Sequence, residues 1–367
     1  MTTSHAAVVA DAPSPTTPRR ARLFYLDFIR ALATLIIVLT HFNNPYLAGG
    51  GYLLTNTPFG IYVGGLGVSL FLAISGAALT YTYHRPYSLR TFYWKRAKGI
   101  YPMFWTAWIL AFVYLFTTSH GISPVNPPAR NFIFTILGVD GLAANFHIAT
   151  AYLLGEWFLG FILIFYLVFP LLLWGVDEHP VITAILGIAI YVASFLLFQR
   201  FPGLPTAVLL PTRLPELLFG MYFTKYVKRV HWATLLPIAA VLAVSARYPN
   251  EIPEDIATTF VGIAFFLLLV IIGRYICFQP VREFVSLIAK YSYPIFLTHH
   301  VVIMVMYNSM PWTAFGLKQR LAMFAGVLVL TFATAVGLDA ITRRVVTYIT
   351  RSFKGATWRP IVHPEEP

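Results

Sequence analysis

Three ionisable side chains lie in an apolar stretch near the N-terminus, LDFIRALATLIIVLTHF, from Leu26 to Phe42. Asp27, Arg30 and His41 interrupt a run that is otherwise apolar enough to cross a bilayer. Positions eleven apart in an α-helix are separated by about 16 Å along the axis and by only about 20° of rotation, so Arg30 and His41 share one face. Ionisable groups at membrane depth are costly, which makes a functional site the first hypothesis for this helix.

The three side chains allow different interpretations. Asp27 and Arg30 are spaced to neutralise each other as an ion pair on the helix, which is a structural alternative for these two. His41 has no such partner close to it in the sequence. A neutral imidazole can act as a general base toward a hydroxyl, or accept a group covalently as a relay. Both chemistries are open for His41.

Further ionisable residues lie within or beside other apolar stretches. At the outer ends they are Glu156 in GEWFLG and Arg213 with Glu216 in TRLPELLFG; at the inner end, Lys95, Arg96 and Lys98 in YWKRAKGIYP; near mid-membrane, His299 in YSYPIFLTHH. Together they predict a cationic inner mouth, a histidine deep in the helix layer, and an outer mouth with acidic and basic groups. We therefore expect a site that is reached from both faces of the membrane.

Several other chemistries find little support in the sequence. No Walker-type loop and no HExxH motif is present, and the lone Cys277 excludes an internal disulfide. Because adjacent helical residues point in different directions, His299 and His300 are expected to be a poor chelating pair, and no metal is predicted. Ser75 in AISGAAL could serve as a nucleophile, but a Ser-Gly pair inside a helix is more typical of close helix packing.

The elements that carry these residues are membrane helices. The chain of 367 residues is 58% hydrophobic and 11% charged, far from the balance of a soluble protein. We predict an all-α integral membrane protein with about ten transmembrane helices, centred near residues 34, 71, 109, 165, 189, 218, 239, 264, 299 and 331. The predicted organisation is a disordered cytoplasmic tail over 1–22, a transmembrane domain over 23–350, and a cytoplasmic tail over 351–367.

The basic residues indicate the orientation. Most of the 26 lysines and arginines fall on segments that share a side with the N-terminus. By the positive-inside rule, both termini are then cytoplasmic, and the protein is a multi-pass protein of the cell membrane. The net charge of +12 is therefore expected to face anionic lipid head groups of the bilayer rather than nucleic acid.

Five segments occur in the same order and orientation as the motifs of one family of membrane enzymes. They are the first stretch with Arg30 and His41 at an Arg-x10-His spacing, GVSLFLAISGAALT, EWFLGFILIFYLVFP, RLPELLFGM, and YSYPIFLTHH with His299 in the histidine place. The chain thereby resembles the acyltransferase 3 family, whose members O-acylate carbohydrates and envelope lipids. One motif departs from the family pattern Arg-Arg-x-x-Arg-Ile-x-Pro, because KRAKGIYP has Gly99 in the place of the third arginine.

This resemblance implies transfer of an acyl group, most often acetyl, from cytoplasmic acyl-CoA to a hydroxyl at the outer face. The CoA phosphates would lie among Arg30, Lys95, Arg96 and Lys98, and the thioester would reach His41. The span of about 16 Å from Arg30 to His41 is comparable with an extended pantetheine arm. Glu156 would orient the imidazole or bind the acceptor, while the remaining candidates would bind substrate: Arg213, Glu216 and His299.

The acceptor and one alternative function stay open at this stage. A carbohydrate or a glycolipid fits the resemblance, and short outer loops favour a glycolipid that arrives laterally in the membrane. The Ala/Pro/Arg-rich N-terminal tail resembles those of high-GC bacteria, some of which make mycolate-type glycolipids. The alternative is a transporter or flippase of a small polar substrate or a glycolipid, in which the same buried charges line a pathway.

Overall fold

A computed structural model of the chain describes residues 23–355, apart from 45–51, 84–86, 199, 202, 204 and 250. Over these residues the regular structure is entirely helical. The α-helices are α1 (Phe24–Phe42), α2 (Val63–Thr82), α3 (Leu89–Thr118), α4 (Phe132–Leu137), α5 (Asp140–Ala144), α6 (Trp157–Glu178), α7 (Pro180–Phe198), α8 (Leu214–Tyr226), α9 (Leu235–Arg247), α10 (Glu254–Tyr275), α11 (Gln279–Ser309) and α12 (Leu317–Gly355). Short 3-10 turns connect several of them. The predicted all-α class is thus confirmed over the described part of the chain.

Each of the ten predicted apolar runs coincides with a helix, but the helices differ in length. Seven helices within the described ranges are long and apolar enough to cross a membrane, namely α1, α2, α3, α6, α7, α10 and α12. Helices α8 and α9 have 13 residues each, about 20 Å, against a hydrocarbon layer of about 30 Å. Helix α11 has 31 residues but carries polar groups along its length. The chain is therefore built as a multi-pass membrane protein, and the count of ten spans stays a prediction.

The predicted tails fall largely beyond the structure. Residues 1–22 and 356–367 lie outside the described residues. Helix α12 runs to Gly355, past the predicted end of the transmembrane domain at residue 350.

Helix α2 lies at the centre of the packing, in contact with α1, α8 and α10. It approaches α8 so closely that a Cβ on Gly76 would overlap the Leu217 carbonyl, and a Cβ on Gly220 would overlap the Ala73 carbonyl. Only glycine permits two helix backbones to come this near. Gly76 thus makes the close helix contact that a Ser-Gly pair inside a helix typically indicates.

Helices α1 and α11 run side by side in the same direction. In the first half of each helix, Ala31 of α1 packs in one cluster with Ile288 and Ala289 of α11. Near their ends, the Tyr307 hydroxyl donates to the Phe42 carbonyl at 2.7 Å. This parallel packing brings two sequence-distant segments to the same depth, the one ending in His41 and the one containing His299.

A phenylalanine-rich core fixes α3 against α6. Its fully buried rings come from both helices: Phe92, Phe104, Phe161, Phe165 and Phe169. Since aromatic side chains bury large apolar areas, this core holds the two helices firmly where they flank α1 and α11.

Candidate active site

A cavity of about 450 Å³ lies between five helices, α1, α2, α3, α6 and α11. We call it the central cavity. Its polar and ionisable lining residues are Arg30, His41, Ser75, Lys95, Arg96, Tyr166, Lys290, Ser292 and Tyr293. Apolar and aromatic side chains make up most of the remaining wall, including Phe71, Trp157, Phe158 and Phe296. The structure therefore places Arg30 and His41 on one continuous space, as their shared helix face predicts.

Four cations line the central cavity, and they come from the first half of their helices. Arg30 lies on α1, Lys95 and Arg96 lie on α3, and Lys290 lies on α11. Lys95 and Lys290 are also exposed at the protein surface. Among the described residues that line the cavity, none is acidic. This region, the cationic end, suits a ligand with several negative charges.

Aromatic rings hold Arg96 at the cationic end. Its guanidinium carbon lies 5.7 Å from the ring centroid of Tyr83 and 5.8 Å from that of Tyr166. Its Nη2 also donates to the Tyr83 hydroxyl at 3.3 Å. Stacking of this kind fixes the planar guanidinium and leaves its outer edge for a ligand.

The neighbouring cation Lys98 points elsewhere. Its Nζ lies 4.9 Å from the ring centroid of Trp94, which is exposed, and Lys98 is not among the residues that line the central cavity. Lys98 lies two positions after Arg96, about 200° around the helix, so the two cannot share a face. The structure thus separates Lys98 from Lys95 and Arg96, with which the sequence had grouped it.

Gly99 and Lys290 complete the cationic end in a way the sequence did not indicate. Gly99 lines the cavity, and a Cβ placed on it would meet nothing within 4 Å. The position where the resemblance has an arginine is therefore open space. Lys290 lies on α11, far in the sequence from the other three cations. It joins them because α11 packs parallel to α1, which the sequence alone does not show.

At the other end of the helices, three histidines lie against one another. The ring centroid of His41 is 4.9 Å from that of His299 and 4.0 Å from that of His300. The rings of His299 and His300 are 4.4 Å apart. Adjacent helical residues point in different directions, yet the rings of both His299 and His300 reach His41.

This histidine cluster is the group of described residues whose side chains could hold a metal ion. One nitrogen from each ring lies within 4.8 Å of the others. Imidazole nitrogens are common ligands of zinc and related ions. Two of the three rings already use nitrogens in hydrogen bonds within the protein. The absence of a metal stays a prediction.

His41 and His299 have well-defined hydrogen bonds. Nδ1 of His41 lies 2.9 Å from the Ile37 carbonyl oxygen and 3.1 Å from Nε2 of His299. Nδ1 of His299 lies 2.8 Å from the Phe296 carbonyl oxygen and 3.1 Å from that of Ile295. His299 is completely buried and does not line the central cavity.

Gly155 lets the loop before α6 approach the histidine cluster. Its φ is +73°, a left-handed conformation that favours glycine, and a Cβ on it would overlap the His300 imidazole. Gly155 also lines the central cavity. The loop before α6 therefore closes the cavity on the histidine side.

Glu156 lies in the same loop, just before the α6 span. It is completely buried, and its Oε2 accepts the Leu154 N–H at 2.9 Å. Burial raises the pKa of Glu156 to about 8, with the nearby Asp140 carboxyl adding to the effect. Its neighbours Gly155 and Trp157 line the cavity, whereas Glu156 itself turns into the loop. Its role in orienting the imidazole or binding the acceptor stays a prediction.

Arg213 and Glu216 form a buried ion pair away from the central cavity. Arg213 Nη2 lies 3.1 Å from Glu216 Oε1, and both side chains are almost fully buried. Arg213 also donates to the Ser69 hydroxyl at 2.8 Å, and the Thr259 hydroxyl donates to Glu216 at 3.2 Å. These bonds join α8 to α2 and α10. The pair was predicted to bind substrate, but neither residue lines the cavity.

The arrangement combines a polyanion-binding region with an imidazole on one continuous cavity. Arg30 and His41 are about 16 Å apart along α1, so a long, flexible ligand with a charged head could place its far end beside His41. An imidazole there can accept a proton from a hydroxyl or be acylated itself.

Comparison with known families agrees with this chemistry. A family model described as an acyltransferase domain matches residues 23–340, nearly the whole chain. Neither a curated protein nor a solved structure matches the chain significantly.

Proposed function

Because the chain belongs to the acyltransferase 3 family, we propose that it is an O-acyltransferase that uses acyl-CoA, most often acetyl-CoA, as the donor. The acceptor is a hydroxyl of a carbohydrate or glycolipid of the cell envelope, presented on the outer side. The observation that carries this proposal is the central cavity, which joins the cationic end to His41. Acyltransferase chemistry needs both parts, a place for the CoA phosphates and a base or nucleophile for the transfer.

The donor lies along the cavity in this proposal. Arg30, Lys95, Arg96 and Lys290 bind the CoA phosphates, since cations and phosphates pair strongly where water is scarce. The pantetheine arm follows the aromatic wall of the cavity. The thioester then lies beside His41.

In this proposal His41 acts as a general base. His41 takes the proton of the acceptor hydroxyl as its oxygen attacks the thioester carbonyl. The C–O ester bond forms and the C–S bond breaks, and the departing sulfur takes the proton from His41, so that CoA leaves as the free thiol and His41 is neutral again. The alternative is a relay, in which His41 attacks the thioester first and the hydroxyl then takes the acyl group from the imidazole. Direct transfer is preferred because it needs no acyl-imidazole step.

The proposed membrane arrangement has ten spans and cytoplasmic termini. Helices α8, α9 and α11 add three spans to the seven long apolar helices, and the excess of cations on the side of the N-terminus sets the orientation. The cationic end then faces the cytoplasm, where acyl-CoA is made, and His41 lies in the outer half of the membrane. A glycolipid, including one of the mycolate type, can reach it from the outer leaflet without crossing water.

The first prediction tests the role of His41. We expect His41→Ala to abolish transfer of radiolabelled acetyl groups from acetyl-CoA to envelope lipids, because no other group on the described cavity wall is placed beside it as a base. The thermal stability of the variant in detergent should stay near that of the wild type, since His41 is only half-buried. Lipid extracts of a deletion strain, complemented with each version, identify the acceptor by mass spectrometry.

Retained transfer in His41→Ala would show that His41 only packs, and the proposed mechanism would then be wrong. If the protein moved a substrate across the membrane and consumed no acyl-CoA, it would be a transporter or flippase instead.

A further inference from the structure

The hydrogen bonds of His299 determine where its own proton lies. Its Nδ1 lies 2.8 Å from the Phe296 carbonyl oxygen and 3.1 Å from the Ile295 carbonyl oxygen. Carbonyl oxygens only accept hydrogen bonds, so the proton of the neutral ring is on Nδ1. Nε2 of His299 therefore carries a lone pair and can only accept.

This lone pair in turn determines the tautomer of His41. Nδ1 of His41 lies between Nε2 of His299, at 3.1 Å, and the Ile37 carbonyl oxygen, at 2.9 Å. Both neighbours accept, so Nδ1 of the neutral His41 ring must carry the proton and donate to them. The lone pair of His41 is then on Nε2, the nitrogen left for a hydroxyl in the cavity.

His299 is placed to act through His41 rather than on a substrate. It is completely buried and absent from the cavity wall, whereas His41 lines the cavity. Both nitrogens of His299 already have partners within the protein. The substrate-binding role predicted from the sequence would require contact with the cavity, which the buried ring does not make.

We infer that His299 is a positioning residue, which accepts the Nδ1–H of His41 and so keeps the Nε2 lone pair of His41 facing the reaction. The inference rests on the proposed function, because it assigns His299 a part in the same transfer. When His41 takes the proton of the acceptor hydroxyl, its Nδ1–H becomes the donor of a charge-assisted bond to His299, which is stronger than the neutral bond. His299 therefore helps most in the transition state.

A matched pair of substitutions tests the inference. In His299→Gln, the side-chain carbonyl reaches about as far as Nε2 and can still accept from His41. In His299→Asn, the amide lies near the position of Nδ1 and is too short to reach His41. We expect His299→Asn to lower kcat on the order of 10²-fold, a usual contribution of a correctly held base, and His299→Gln to stay within about tenfold of the wild type. The KM for acyl-CoA should not change in either, since the cationic end is untouched.

Other results would overturn the inference. Equal losses in His299→Gln and His299→Asn would show that the acceptor atom is not what matters. Full activity in both would show that the Ile37 carbonyl alone holds His41. Thermal unfolding of both variants in detergent checks that they are folded, and comparable stability of the pair makes a difference in kcat interpretable. Loss of activity in His41→Ala together with full activity in His299→Asn would reject this inference alone, whereas activity in His41→Ala would reject the proposed function.

Discussion

At the scale of single residues, the side chains that matter are those that share the wall of the central cavity. Arg96 and Lys98 are both cations of α3, but only Arg96 lines the cavity, while Lys98 lies on Trp94. Removing either cation changes the net charge of this part of α3 by the same amount. Their different positions allow the effect of a specific contact to be separated from that of charge alone.

The second prediction uses this pair. Arg96→Ala should raise the KM for acyl-CoA by about 10- to 100-fold, because a hydrogen bond to a charged group contributes about 1.5–3 kcal/mol. Lys98→Ala should change it by less than about fivefold, as expected for an exposed charge. Initial rates in detergent at varied acetyl-CoA concentration give both values. Equal effects of the two changes would mean that the cationic end acts only through its overall field.

Helix periodicity placed Arg30 and His41 on one face of α1, and the basic run YWKRAKGIYP indicated Lys95 and Arg96. The same periodicity could have set Lys98 aside, since it lies about 200° from Arg96 around α3. Lys290 and the contact of His300 with His41 depend on how α11 packs beside α1. That packing follows from side-chain shape along two sequence-distant helices, which no local pattern contains.

At the scale of helices, the contact between α2 and α8 fixes one side of the cavity. Gly76 and Gly220 bring the two backbones together, and the buried pair of Arg213 and Glu216 joins the start of α8 to α2 and α10. The sequence marked Arg213 and Glu216 as functional because buried charges often are. Here each finds partners inside the protein, so the structure gives them a role in holding helices together.

The third prediction concerns this helix contact. Gly76→Ala should destabilise the protein, because its Cβ would overlap the Leu217 carbonyl and overpacking of this kind costs about 1–3 kcal/mol. Gly337→Ala in α12 is the control, since a Cβ there meets nothing within 4 Å. Alanine at that position should leave stability unchanged or raise it by up to about 1 kcal/mol, the usual helix preference over glycine.

The midpoint of thermal unfolding in detergent measures both effects. If Gly76→Ala unfolded at the wild-type temperature, α2 and α8 would be free to move apart, and the cavity wall would be softer than the structure indicates.

At the scale of the whole molecule, the helices that supply the cavity set its direction across the membrane. The cations lie in the first half of α1, α3 and α11, and His41 lies at the end of α1. All-helical architecture and the positions of the helices were predictable, because bilayer thickness imposes long apolar runs. The number of spans was harder to predict, since a run of apolar letters does not show that α8 and α9 have only 13 residues.

The fourth prediction tests this direction. In proteoliposomes of defined orientation, acyl-CoA added to the face that bears Lys95 and Arg96 should support transfer to an acceptor supplied only on the opposite face. CoA is a large polyanion and does not cross the lipid, so only the acyl group passes between the two sides. Activity that required both substrates on the face of Arg96 would refute a site reached from both sides, even if the protein still acylated its acceptor.

The open space beside Gly99 offers a way to observe the donor directly. A Cβ added there meets no atom within 4 Å, and Gly99 lines the cationic end of the cavity. The chain contains a single cysteine, Cys277, which is exposed. Gly99→Cys in a Cys277→Ser background would therefore carry one thiol, at the place proposed for the CoA phosphates. The rate at which a thiol reagent labels it would report occupancy of the site by each donor, without any need for the acceptor to be known.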